Sequence, residues 1–254
     1  MFRILNLRSN YQKIIKPMIY RYSSKPRNRL EGIKFEYPVP ESRFEEVVNL
    51  FRNHFYVDEP LLAALKLCKR GEPQPEMDDY CMKNLKEGFS IAALDEKTDK
   101  VIATVMNGII HDCDPDDFNE KLETMTGKIK EIFKLLYYSN QHLDLFCRYN
   151  VEEIFEIRLL SVDSKYFGRG LAKELIKRSV DLGQESGYRY VIAKADCTGF
   201  FSQKLLSGYG FQKIHEIRYS CYKDKYKNVI FRTAPPHDTL AVMVKQYPDN
   251  RCLI

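Results

Sequence analysis

From Glu156 to Ile176 the chain runs through an apolar stretch, a polar turn, two glycines and an amphipathic stretch, and this order fixes the local architecture. Ile157, Leu159, Leu160 and Val162 read as a strand, Asp163, Ser164 and Lys165 as the turn that ends it, and Leu171, Ala172, Leu175 and Ile176 as the apolar face of a helix. A strand that enters a helix through a glycine-rich turn makes an anion site. The first helical N–H groups have no partner within the helix, the helix dipole is positive at that end, and Gly168 and Gly170 let a ligand approach the backbone closely. The spacing, Lys165-x-x-Gly168-x-Gly170-Leu171-Ala172, is neither the dinucleotide G-x-G-x-x-G nor the nucleotide-binding G-x-x-x-x-G-K-[ST]. Read from these residues alone, an ordinary turn between strand and helix competes with the anion site.

Charge divides the chain into an arm and a body. Arg3, Arg8, Lys13, Lys16, Arg21, Lys25, Arg27 and Arg29 precede the first acid, Glu31; the net charge is +5, so without these eight the body carries −3. The basicity belongs to residues 1–30, where Phe2, Ile4, Leu5, Leu7, Ile14, Ile15, Met18 and Ile19 could line one helix face. This is the composition of a mitochondrial transit peptide, and Arg21 lies two residues before Ser23 as in a matrix-protease cleavage site. Mitochondrial localisation is the expectation and the cytoplasm the alternative. A disordered basic arm or a nucleic-acid contact competes for the same residues, but no basic stripe interleaved with aromatics runs through the body, so no nucleic-acid partner is expected. No apolar run reaches the length of a membrane span. Seven scattered cysteines without a C-x-x-C pair give no zinc or disulfide framework and read as free thiols.

Residues 31–254 read as one domain. A first strand covers Ile33 to Tyr37, a helix follows Pro40, another spans Leu61 to Cys68, and a third Met77 to Lys86. Phe89–Leu94 and Val101–Ile110 form a hairpin around the polar turn Asp95–Asp99. A helical insertion at about 112–148 is capped by Asp114-Pro115-Asp116-Asp117 and continues through Ile129–Phe146. After the strand and helix described above come a strand at Tyr190–Ala195, a helix at Ser202–Ser207, and closing strands near Gln212–Tyr222 and Leu240–Val244. The expected fold is α/β, a mixed twisted central sheet with helices on both faces.

The segment Lys165 to Ala172 closely resembles the pyrophosphate-binding segment of the GCN5-related N-acetyltransferases, with Lys165 where that family has Arg or Gln. Leu205-Leu206-Ser207-Gly208-Tyr209-Gly210-Phe211 resembles the family's "L-Y-x-K-x-G-F" ending, except that Leu206 stands where a tyrosine often serves as general acid. Phe55-Tyr56-Val57-Asp58-Glu59-Pro60-Leu61 resembles the "F-x-D-E-P-L" segment of the insect arylalkylamine N-acetyltransferases, which acetylate dopamine and serotonin. Leu160-Ser161-Val162-Asp163, Met106-Asn107-Gly108 and Ala234-Pro235-Pro236-His237 add to that resemblance, which covers roughly residues 33–246.

The resemblance implies the acyl-CoA N-acyltransferase fold, acetyl-CoA as co-substrate, a small primary amine as acceptor, a monomer, and no metal. It implies Glu59 as catalytic base, completed by Thr198 (where the family has Ser) and Ser202. It implies that Leu160, Ser161 and Val162 pair with the pantetheine arm. The amides of Gly168, Arg169, Gly170, Leu171 and Ala172, with Lys165, would hold the pyrophosphate. A polyamine acceptor, a longer acyl donor, or a non-catalytic CoA-binding relative stay open. So do plainer roles: Glu59 at a helix N-terminus, Ser202 as a cap, Thr198 in a turn, Cys197 as a structural thiol. His237 reads as a substrate-mouth or merely capping histidine. Phe51, Phe55, Tyr56, Phe200 and Phe201 are candidates for an aryl pocket, Phe51 and Phe55 more readily for core.

Overall fold

The computed structural model describes residues 29–112, 122–123, 125–185 and 192–248. The basic arm up to residue 28 and the Asp114–Asp117 cap lie outside the described residues. The apolar periodicities become β1 (Ile33–Glu36), α1 (Phe44–His54), α2 (Pro60–Leu65), α3 (Pro75–Lys86), β2 (Ile91–Asp95) and β3 (Lys100–His111). The insertion contributes α4 (Ile129–Asn140) and α5 (Leu145–Tyr149), and then come β4 (Glu153–Val162), α6 (Leu171–Glu185), β5 (Ile192–Cys197), α7 (Phe200–Ser207), β6 (Gln212–Arg218) and β7 (Thr239–Gln246).

The strands form one seven-stranded sheet in the order β1-β2-β3-β4-β5-β7-β6. Every neighbouring pair is antiparallel except β4 and β5, whose ladder holds only Phe155–Ala193 and Glu156–Lys194. Beyond Glu156 the residues Ile157–Val162 pair with β3 alone. This short parallel ladder is the centre of the fold, because it leaves one flank of β4 open inside the sheet. Against β3, β4 also carries a bulge: Met106 faces Leu159 and Asn107 faces Ile157, so Arg158 is the extra residue. A bulge re-aims side chains, and here it turns both Arg158 and Leu159 toward one cavity.

Helices cover both faces, as expected from the sequence. One core layer packs α1–α4 on the sheet through Phe51, Leu61, Leu62, Met106 and Leu135; the other packs α6 and α7 through Phe155, Leu175, Ile176, Ala193 and Leu206. Short helices gain most of their stability from such packing rather than from intrinsic propensity.

Several boundaries differ from the sequence reading. The second helix stops at Leu65 rather than Cys68 because Lys66 takes a left-handed conformation (φ 52) and closes the helix with its N–H. The run Ile129–Phe146 breaks into two helices at the polar stretch Asn140–Asp144, where Asp144 has φ 42. The helix expected from Ser202 starts at Phe200, and β6 ends at Arg218 in a 3-10 turn, Tyr219–Cys221, that buries Tyr219.

Candidate active site

The glycine turn has the geometry of an anion cradle. Asp163 caps the 3-10 turn Ser164–Tyr166 by accepting from Lys165 N at 2.9 Å. Gly168 and Gly170 then follow at φ +79 and +85, conformations that only glycine adopts without strain. A Cβ at either position would meet no heavy atom within 4 Å, so the backbone there is open to a ligand. Gly170 O accepts the first helical bond from Glu174 N at 3.0 Å, which leaves the N–H groups of Leu171 and Ala172 in the free first turn of α6. Lys165 is exposed. The guanidinium of Arg169 turns away, donating to the carbonyls of Arg29 (3.1 Å) and Glu31 (2.7 Å), and its backbone N–H donates to Tyr166 O at 3.4 Å, so Arg169, expected in the cradle, has its donors engaged elsewhere. The open flank of β4, with Leu160, Ser161 and Val162, leads up to this turn. A pyrophosphate at the cradle and an extended arm along β4 fit these residues together.

On the sheet face covered by α1–α4 lies a cavity of about 110 Å³, lined by Glu59 and Thr198 and walled mainly by Phe55, Leu62, Phe133, Leu136 and Leu159. Phe51 is fully buried core, while Phe55, partly buried, packs against that core and also lines this cavity. Phe200 and Phe201 are exposed, 44% and 64%, and do not line it.

One oxygen of the Glu59 carboxylate is held and the other is not. As N-cap of α2 its Oε2 accepts from Leu61 N at 3.0 Å and Leu62 N at 2.7 Å, so the helix-terminus role is real. Its other oxygen, Oε1, is buried with no partner among the described residues. Burial raises the carboxyl pKa, opposed in turn by the hydroxyl of Thr198 and the two backbone N–H groups. Thr198 stands beside the carboxylate without completing a hydrogen bond to Oε1. Its backbone is fixed from behind, since Tyr219 Oη donates to Thr198 O at 2.7 Å.

Ser202 does not join Glu59 and Thr198 in the cavity wall. Its Oγ donates to Gly199 O at 2.8 Å, which ties it into the first turn of α7. His237 accepts from Phe200 N at 3.2 Å through Nδ1 and caps the same helix. Cys197 is buried, and burial pushes the pKa of its thiol up to about 12, the environment of a structural thiol.

A charged group that the sequence does not single out also borders the cavity through Glu156, Arg158 and Asp196. Lys194 Nζ donates to Glu156 Oε1 at 2.8 Å and to Asp196 Oδ2 at 2.9 Å, and Arg158 Nε donates to Glu156 Oε2 at 3.0 Å. Burial alone would raise the pKa of Glu156, but Lys194 and Arg158 hold it below the ordinary value. Asp196 is raised by burial, which Lys194 offsets only in part. The available signal was charge at every second residue, Glu156/Arg158 and Lys194/Asp196, on two neighbouring apolar strands.

A splayed parallel strand pair, a glycine cradle at a helix N-terminus and a carboxylate in an adjoining apolar cavity define a transferase that brings an extended anionic donor to a small acceptor. The chain belongs to the Acetyltransferase (GNAT) family, whose model matches residues 51–211. It is similar to arylalkylamine N-acetyltransferase 2 from Aedes aegypti at 37% identity, with a TM-score of 0.80 over 84% of this chain and 98% of that one. It is also similar to a Drosophila melanogaster polyamine N-acetyltransferase that forms N-acetylagmatine, at 25% identity and a TM-score of 0.73 over 84% and 99%. A mosquito arylalkylamine N-acetyltransferase-like protein, 5b, shares the fold at 23% identity and a TM-score of 0.74.

Proposed function

We infer that this acetyltransferase moves an acetyl group from acetyl-CoA to the primary amine of a small arylalkylamine by direct attack. The observation that carries this reading is the free, buried Oε1 of Glu59 in a cavity walled by aromatic and aliphatic side chains. The similarity to the Aedes aegypti arylalkylamine enzyme supports it.

The acceptor arrives as an ammonium ion and cannot attack until it loses a proton. Glu59 Oε1 takes that proton, and a carboxylate whose pKa is raised by burial is a better base near neutral pH than an exposed one. The two N–H groups on Oε2 hold the carboxylate in place while it does so. The neutral amine then attacks the thioester carbonyl carbon; the C–N bond forms, the C–S bond breaks, and the thiolate leaves with the electron pair. Backbone N–H groups on the open flank of β4 near Leu160–Val162 stabilise the carbonyl oxygen as charge develops. Those of Gly168, Gly170, Leu171 and Ala172, with Lys165, hold the pyrophosphate. The thiolate needs a proton, and Ser202 supplies one only after its hydroxyl turns from Gly199. The hydroxyl of Thr198, beside the carboxylate, opposes the rise in its pKa.

The test is thiol release from acetyl-CoA across tyramine, dopamine, serotonin, histamine and spermidine. The expected result is turnover with the aryl amines at higher kcat/KM than with spermidine; turnover of spermidine alone overturns the reading. A narrower prediction concerns the cradle. Gly170→Ala places a Cβ on a residue at φ +85, and the left-handed strain predicts about a tenfold higher KM for acetyl-CoA. The KM for the amine should stay within about twofold, because the cradle does not touch the cavity; bisubstrate kinetics measure both.

A further inference from the structure

Five exposed cations, Arg218, Lys223, Lys225, Lys227 and Arg232, fall between residues 218 and 232, a stretch with one acid, Asp224, although the body as a whole carries −3. This segment joins β6 to β7 and has a packed base and an open tip. At the base, Tyr219 and Phe231 are buried, the rings of Tyr222 and Phe231 stack at 5.7 Å, and Ile230 N donates to Tyr222 O at 3.2 Å. Beyond them Lys223 pairs with Val229 in an antiparallel bridge, and Asp224 N donates to Asn228 O at 2.9 Å. The acid is taken up by the turn itself. Asp224 Oδ1 accepts from Tyr226 N and from Asn228 N, each at 2.8 Å, and Oδ2 accepts from Asn228 Nδ2 at 3.1 Å. Among the described residues no acid lies within ion-pair distance of Lys223, Lys225 or Lys227. Tyr226 stands at the tip, 72% exposed, with the Lys225 ammonium 5.0 Å from its ring centroid.

A single exposed tyrosine is ordinary. One raised on a convex turn, among three lysines whose charge no acid answers, is a surface of a particular kind. Its shape selects the partner. A nucleic acid or an acidic peptide is held along a groove or an extended basic track, and the tip of a hairpin provides neither. A flat anionic surface accepts a convex tip. The lysines meet the headgroup charge, and tyrosine, with an apolar ring and a polar hydroxyl, suits the boundary between headgroups and acyl chains.

We propose that the 222–230 hairpin docks reversibly on an anionic lipid surface, with Tyr226 in the headgroup layer and Lys223, Lys225 and Lys227 against the lipid charges. One aromatic ring and three lysines make a weak anchor rather than an insertion. Tyr219, at the root of the hairpin, also holds Thr198 O, so the docking surface and the wall of the Glu59 cavity share one support. Docking of this kind is independent of which amine is acetylated.

The chain has no tryptophan, so Tyr226→Trp in the full chain is a lone fluorescent reporter at the tip. Vesicles of phosphatidylcholine and phosphatidylserine at about 3:1 should move its emission to shorter wavelength, and phosphatidylcholine alone should not. Adding Lys225→Glu and Lys227→Glu should lower the apparent vesicle affinity at least about tenfold, and raising the salt from about 0.1 M to about 0.5 M should act the same way. The basic arm is the rival route to the same vesicles, and it joins the body where Arg169 holds the carbonyl of Arg29. Phe167→Trp, at a side chain 67% exposed in the natural protein, reports contact there. An emission shift confined to Phe167→Trp assigns the binding to the arm and overturns the proposal. So does a Tyr226→Trp reporter that is silent with vesicles, that responds equally to neutral ones, that charge reversal leaves unchanged, or that responds to a single-stranded oligonucleotide instead. Should Tyr226→Trp fail to fold, flotation of the natural protein against Lys225→Glu/Lys227→Glu on the same vesicles decides: a smaller floated fraction for the variant supports docking, and equal fractions overturn it.

Discussion

Glu59→Gln is expected to lower kcat by about 10²–10⁴-fold while leaving acetyl-CoA binding intact. Glutamine keeps the size of the side chain and offers one oxygen to the N–H groups of Leu61 and Leu62, so the cap on α2 survives. What is lost is the capacity of the second oxygen to take a proton. The pH profile separates this loss from a structural one. In the natural protein kcat/KM should rise with pH through the raised pKa of Glu59, because only the carboxylate is a base, and that limb should vanish in the glutamine variant. Stability should move the opposite way. A carboxyl whose pKa is higher in the fold than in the unfolded chain favours folding while protonated, and that benefit is lost as pH rises through the folded pKa. Above its folded pKa the ionised Glu59 therefore weakens the fold, and Glu59→Gln should melt higher than the natural protein there, with the difference fading below the unfolded carboxyl pKa. A variant that is both inactive and less stable above that pKa would assign Glu59 to structure alone.

Lys194→Met is expected to cost about 3–5 kcal/mol of folding stability, because it leaves the buried Asp196 without its cation and Glu156 with Arg158 alone. Lys194 is 5% exposed and joins Glu156 to Asp196, the residues through which β4 and β5 are tied on the cavity side. Denaturant unfolding should show the midpoint falling with the slope unchanged. The loss should shrink at low pH, where Glu156 and Asp196 take protons and no longer need the ammonium. Lys34→Met is the control: it removes an exposed pair with Glu36, at 2.7 Å, and should cost less than about 1 kcal/mol. A loss in Lys194→Met no larger than in that control would refute the role of the buried cluster.

The strand, cradle and helix from Glu153 to Glu185 were legible because each step carries a local signal: apolar residues, a polar turn, glycines at positive φ, then helical spacing. Glu59 and Thr198, named from the family resemblance, do meet at one cavity. Ser202 carries no local sign of which way its hydroxyl points, and the start of α7 at Phe200 sets it against Gly199. The Lys194–Asp196 alternation has the look of a solvated strand face. It is buried because α4, in the insertion, supplies Ile132, Phe133 and Asn140 over it, which is a tertiary fact. The bulge at Arg158 is equally silent in sequence, since it depends on the register with β3.

The two-pair ladder between β4 and β5 has a mechanical meaning as well. It makes the sheet two panels, β1–β4 and β5–β7–β6, stitched along a seam that the polypeptide itself leaves mostly unsewn. An extended ligand lying in the seam would act as the missing thread. The molecule that delivers the acetyl group would then also be a temporary member of the protein's own framework, and each release of product would reopen the fabric for the next.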